Sequence, residues 1–163
     1  MTKAEIDSLE QEYIAKGFEL AVDLFILNSE GKLLCQKRSA NRRLYPNCWD
    51  FPGGHVDPGD NLYNTIFKEV LEETGLVVTD VKTLIEVSEW TVPAQSVRPG
   101  ESPKKVIFKF VVDVESTENP VLETGKAVEF RWIDLSNIEI LKENRYDGDF
   151  YVYNSAKKVL ETL

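Results

Sequence analysis

The sequence predicts an α+β fold with a mixed β-sheet between helices. Three observations carry this expectation. A branched apolar run near the N-terminus is followed by a hairpin signal, one amphipathic helix in the middle closes on a glycine, and further strands precede a final helix. With 163 residues, 42% of them hydrophobic, the chain is expected to form one domain, 1–163, that buries a sizeable core.

Ala4 to Lys16 spaces Ile6, Leu9 and Tyr13 at helical intervals and reads as a lead-in occupying residues 1–17. Glu19 to Leu27 is a strand of branched apolar residues, Asn28-Ser-Glu-Gly31 a turn, and Lys32 to Arg38 the return strand. A basic loop, Ser39 to Asn47, leads to Trp49-Asp-Phe-Pro52 and Gly53-Gly54. After the Pro58-Gly59 turn, Leu62 to Thr74 has helical periodicity and stops at Gly75, a natural C-terminal cap. On this helix Leu62, Ile66, Phe67, Val70 and Leu71 are expected to face the core, and Asp60 or Asn61 to cap the start. Strands are expected over Thr83 to Val92, Lys105 to Val114 and Val128 to Ile133, with a Pro, Gly and Ser-rich loop at Pro93 to Pro103. Tyr151 to Leu160 reads as the closing helix.

There are 28 acidic residues against 19 basic ones, a net charge of −9. Such a surface repels a phosphate backbone and an anionic bilayer, so neither a nucleic-acid polymer nor a membrane is expected as partner. The N-terminus carries no apolar signal core, and a cytoplasmic location is the expectation. Cys35 and Cys48 lie outside any CxxC, and His55 is the one histidine. This composition argues against zinc and for unpaired thiols.

The helix Leu62 to Thr74 carries the chemistry. At about 100° per residue, Glu69, Glu72 and Glu73 share one flank, where like charges weaken an isolated helix. Glu72 and Glu73 also stand in the last turn, where the macrodipole disfavours anions. Three acids set against both rules point to a bound cation, and oxygen ligands alone select Mg²⁺ or Mn²⁺. A solvated acidic face is the alternative that the helix alone leaves open. Ahead of it, Gly53-Gly54 lets the backbone approach a ligand closely.

The segment Gly53 to Leu76, GGHVDPGDNLYNTIFKEVLEETGL, resembles the signature of the Nudix hydrolase superfamily, GX5EX7REUXEEXGU with U a bulky aliphatic residue. Every spacing fits, from Gly54 through Asp60 to Lys68-Glu69-Val70-Leu71-Glu72-Glu73-Thr74-Gly75-Leu76. Asp60 replaces the family's glutamate and Lys68 its arginine, with both charges kept. Leu33 to Arg38, Trp49 to Gly54 and Glu129-Phe-Arg-Trp132 look like further Nudix features.

The resemblance implies the Nudix α/β/α sandwich, with the strand–loop–helix motif at 53–76, and a MutT-like pyrophosphohydrolase. The substrate would be a nucleoside triphosphate, an oxidised dNTP, ADP-ribose, a nucleotide sugar or another small diphosphate. It implies metal ligands at Glu69, Glu72 and Glu73, joined by the Gly53 carbonyl. Glu69 is the first choice for the base and Glu129 the second. Arg38 matches an arginine that touches substrate phosphate in some members, and it belongs to a run, Gln36 to Arg43, that holds four cations and no acid. Arg42 and Arg43 are expected to bind substrate with it. Lys68 takes the place of an arginine that holds a nearby glutamate. Tyr45, Trp90, Tyr146, Phe150, Tyr151 and Tyr153 are candidates to stack on a base. Asp147-Gly148-Asp149 lacks the spaced ligands of a calcium loop. The resemblance also leaves room for a homodimer, for a nucleotide sensor without turnover, and for an isoprenyl diphosphate isomerase. The isomerase needs a histidine-containing metal site that His55 alone does not supply.

Overall fold

A computed structural model describes residues 1–144 and 150–163. In chain order, α1 (Lys3–Ala15) leads into β1 (Glu19–Ile26) and β2 (Leu33–Arg38). The short strands β3 (Trp49–Asp50) and β4 (Gly53–His55) precede α2 (Leu62–Thr74). Then come β5 (Val78–Thr91), β6 (Lys104–Val114), β7 (Ala127–Ile133) and α3 (Tyr151–Thr162). Tyr146 and Asp147-Gly148-Asp149 lie outside the described residues.

The strands form two sheets. One is mixed, ordered β4-β1-β6-β5, with β1 and β6 parallel and the other pairs antiparallel. The other is antiparallel, ordered β3-β2-β7. Alternation along β1 divides the apolar residues between two cores. Leu20, Val22, Leu24 and Ile26 pack with Leu62, Ile66 and Val70 of α2, while Phe25 points the other way, toward Val152, Ala156 and Val159 of α3. Helices therefore cover both faces of the mixed sheet, as the α+β expectation requires. The described helices include none long and apolar enough to cross a membrane.

The lead-in does more than cover the sheet. Thr2 and Glu5 close a capping box that starts α1. Buried Glu10 then accepts the Leu62 N–H of α2 at 2.9 Å. A carboxylate on an orphan donor at a helix N-terminus is favoured by hydrogen bonding and by the macrodipole. Glu10→Ala is expected to destabilise the fold by about 2 kcal/mol, read from urea denaturation.

Two expectations are corrected. Leu71 is 54% exposed, and Thr65 and Thr74 take its place in the buried arc of α2. That arc also contains the Cα positions of Glu69 and Glu73, at i+7 and i+11 from buried Leu62. Strand β5 begins at Val78 rather than Thr83, because bulges shift its register three times between Val78 and Glu86. Each bulge inserts a residue and breaks the period of two, so Val78 and Val81 are both buried at a spacing of three. Both cysteines are free and buried, in agreement with unpaired thiols.

Candidate active site

Asn61, in extended conformation, is the N-cap of α2 and accepts the Asn64 N–H at 2.7 Å. Asp60 is thereby released from capping the helix. Its Oδ2 lies 3.3 Å from Lys68 Nζ, which also holds Asp57 at 3.0 Å. Those two acids raise the Lys68 pKa, Asp57 first. The two residues that depart from the signature thus meet each other. At the other end Gly75, at φ 70°, closes the helix with its N–H on the Leu71 carbonyl.

Between these caps α2 presents its acids to the Gly53-Gly54 loop. Gly53 pairs with Asp23 of β1, and its N–H donates to Glu73 Oε2 at 2.6 Å. Gln36 Nε2, from β2, donates to the other oxygen, Oε1, at 3.2 Å. Burial lifts the Glu73 carboxyl to about 9 against the pull of the Gly53 N–H, and Asp50 and Glu69 add to the rise. Glu69 lies against Gly54: a Cβ on that glycine would stand 2.8 Å from the Glu69 Cδ. Burial, then the charge of Glu72, raises Glu69 to about 7, and Glu123 and Asp57 contribute further. Glu72 is exposed at the rim.

The donor chemistry fits a hard divalent cation. Glu69 and Glu73 are inward-facing carboxylates that repel each other, and glycine lets the loop backbone come close to Glu69. No three His, Cys, Asp or Glu side chains among the described residues are yet gathered closely enough to hold an ion. A cation would have to draw Glu72 in from solvent by side-chain rotation on a backbone that already lines up the three.

The remaining candidates fall into different surroundings. Arg38 is not free: Nη1 is 3.0 Å from Asp50 Oδ2 and Nε donates to the Leu44 carbonyl at 3.0 Å. Arg42 reaches the Lys126 carbonyl at 3.4 Å, and Arg43 is exposed. Glu129 pairs with Arg131, whose guanidinium lies over Trp49. His55, Tyr45 and Trp90 are exposed. Tyr151 donates its hydroxyl to Asp23 at 3.0 Å, and Tyr153 donates to Glu139. Phe150 is exposed beside Lys142.

Several polar residues near the site gave no signal in the sequence. Glu123, in the loop before β7, is the later acid whose charge acts on Glu69. On the α3 face of the mixed sheet, burial raises Asp23 to about 6 against the Tyr151 hydroxyl and Lys109. Burial likewise raises Asp50 to about 6 against Arg38. Lys109, 2% exposed, balances this acidic face through Glu86 at 2.9 Å, Ser155 at 3.1 Å and the Tyr151 ring at 4.2 Å. Their contacts depend on strand register, on α3 or on the loop before β7, which no local spacing reveals.

Comparison with known proteins agrees with this architecture. The family model for the NUDIX domain matches residues 17–154. An RNA pyrophosphohydrolase from Hydrogenovibrio crunogenus is 29% identical over 162 residues, covering 91% of this chain and 91% of its own. An m7GpppN-mRNA hydrolase from Danio rerio is 36% identical over 76 residues, 47% of this chain and 25% of that protein. The crystal structure of a MutT protein from Methanosarcina mazei Go1 superposes with a TM-score of 0.62 at 23% identity, covering 86% of this chain and 94% of that one. The two RNA-directed names stand against the expectation, drawn from net charge, that no nucleic-acid polymer is a partner. With the family model spanning most of its length and the spacing of the signature kept across β4 and α2, the chain belongs to the Nudix family of hydrolases, enzymes that act on acid anhydrides.

Proposed function

We propose that this protein is a divalent-metal-dependent pyrophosphohydrolase that cleaves a phosphoanhydride bond in a nucleoside-diphosphate-linked substrate. The observation that carries the reading is the convergence of Glu69 and Glu73, both raised in pKa, on the Gly53-Gly54 loop. Glu69, Glu72 and Glu73 would hold Mg²⁺ or Mn²⁺ together with the Gly53 carbonyl. Bound there, the ion would neutralise phosphate oxygens and lower the pKa of a water.

The protein's own groups account for the rest. Glu69, set against Gly54, is the group placed to orient or deprotonate an attacking water. Glu123 is the later acid nearest in influence, while Glu129 is engaged by Arg131. Arg38 gives a phosphate a partner once it exchanges Asp50 for the ligand, and Arg42 and Arg43 extend the positive loop beside it. Glu73, held by Gly53 and Gln36, fixes the geometry.

A second substrate reading is the 5′ end of an RNA, favoured by the relative named RNA pyrophosphohydrolase, with which this chain shares 91% of each length. Only terminal phosphates would need to enter the acidic site, so the net charge of −9 limits long contacts more than end recognition.

The test is product release with Mg²⁺ from a nucleoside triphosphate, an oxidised dNTP, ADP-ribose, a nucleotide sugar and a 5′-triphosphorylated oligoribonucleotide. Turnover of at least one compound, abolished by EDTA, is expected. Binding without turnover across the panel would identify a sensor and contradict the proposal.

A further inference from the structure

Gln36 lies on β2, 4% exposed. Its neighbour two positions back, Leu34, belongs to the core that α2 covers, so this strand face looks toward the acid-bearing helix. The Gln36 amide reaches that helix, with Nε2 on Glu73 Oε1 at 3.2 Å. Gly53 N–H takes Oε2 at 2.6 Å. The two donors come from different sheets, β2 in the antiparallel one and β4 in the mixed one, and each holds one oxygen of a single carboxylate.

The other half of the amide is costly. Gln36 Oε1 is buried and has no hydrogen-bond partner among the described residues. A leucine of similar volume would fill this apolar surface without that stranded Oε1, at the cost of the bond to Glu73 Oε1. The glutamine is therefore a poor choice for packing, and its contribution is the donor it offers to Glu73, with Asp50 also within its influence. Its Cα is also in register with Asp50, the residue that holds Arg38. One side chain thus stands between the acid cluster and the cation expected to meet phosphate.

We propose that Gln36 is a positioning residue: it fixes the Glu73 carboxylate, together with the Gly53 N–H, in the orientation that a divalent ion requires. This rests on the metal-dependent reading above. Groups that orient a metal ligand from behind change metal affinity or activity by about 10- to 100-fold when removed.

The test is Mn²⁺ binding to the full-length protein, followed by electron paramagnetic resonance, for wild type and Gln36→Leu. Kinetics on whichever panel compound turns over and thermal unfolding accompany it. The Mn²⁺ dissociation constant is expected to rise about tenfold or more. The same variant should lower kcat with KM within about twofold. A purely structural glutamine would lower the melting temperature while leaving Mn²⁺ affinity and kcat untouched, and that result overturns the proposal. If Gln36→Leu does not fold, Gln36→Met carries the same measurements. Wild type that binds Mn²⁺ more tightly than the variant but cleaves nothing would sink hydrolysis and leave the positioning role standing. Unchanged Mn²⁺ affinity in a variant that still cleaves would sink only the positioning role.

Discussion

Replacing Glu73 with Gln is expected to lower metal-supported turnover by about 10³-fold while leaving the metal-free fold as stable as wild type or more so. Glu73 is a buried acid raised to about 9, beside Glu69 and Asp50. In the folded, metal-free protein it holds its proton at neutral pH, so a neutral amide of the same shape replaces a neutral acid. The new amide oxygen can still accept the Gly53 N–H, and Gln36 can turn its unpartnered oxygen toward the new amide nitrogen. The catalytic loss has a different cause, the removal of a charge that the ion needs.

The pH dependence follows with a definite sign. A carboxyl raised in the folded state contributes stability below its unfolded pKa, and that contribution is lost as pH rises through the folded value. For Glu69 the loss runs from its ordinary value of 4.5 up to about 7, and for Glu73 on to about 9. Metal-free wild type should therefore melt at lower temperature as pH rises over this window, and Glu73→Gln should flatten the slope. Added Mg²⁺ must displace the protons, so its stabilising shift should grow with pH. Melting curves with EDTA and with Mg²⁺ at two pH values check both trends; a Mg²⁺ shift that shrinks with pH would contradict them.

Alanine at the two adjacent glycines should separate fold from function. A Cβ on Gly53 would stand 2.1 Å from the Val22 carbonyl oxygen, a backbone atom in the centre of β1. Strand β4 cannot accept it without moving, and Gly53→Ala is expected to cost about 3 kcal/mol or more. In a chain of this size that lowers the melting temperature by roughly 10 °C. At Gly54 the obstacle is instead the far end of the Glu69 side chain, at 2.8–3.0 Å. That end can swing away, so Gly54→Ala should keep its melting temperature within about 3 °C. It should lose activity by about 10²-fold, because a displaced carboxylate no longer meets water or metal. Equal losses of stability in the two variants would contradict the yielding side chain at Gly54.

The residues that could be read from the sequence are those whose relations are local. The caps of α2, the i, i+3 and i+4 spacing of its acids and the glycine pair ahead of it are all short-range, and the structure keeps each of them. Leu71 was misleading because composition ranks leucine above threonine, whereas the arc set by Leu62, Ile66 and Val70 passes over Thr65 and Thr74 instead. The early part of β5 was hidden by bulges, which erase the alternation that marks a strand. Gln36, Asp23, Asp50, Lys109 and Glu123 could not be assigned to the site, since strand register, α3 or a distant loop brings each to it. Arg38 shows the same limit from the other side. The resemblance implies a phosphate contact for it, and β2 sets it against Asp50 of β3.

The most direct measurement is calorimetric titration of Mn²⁺ into protein saturated with a non-hydrolysable diphosphate analogue of a turned-over substrate. Wild type compared with the triple variant Glu69→Gln, Glu72→Gln, Glu73→Gln decides the matter. Saturable binding in wild type, lost in a folded triple variant, is the predicted result. Equal binding by both proteins would place the ion elsewhere and contradict the role given to the three acids of α2.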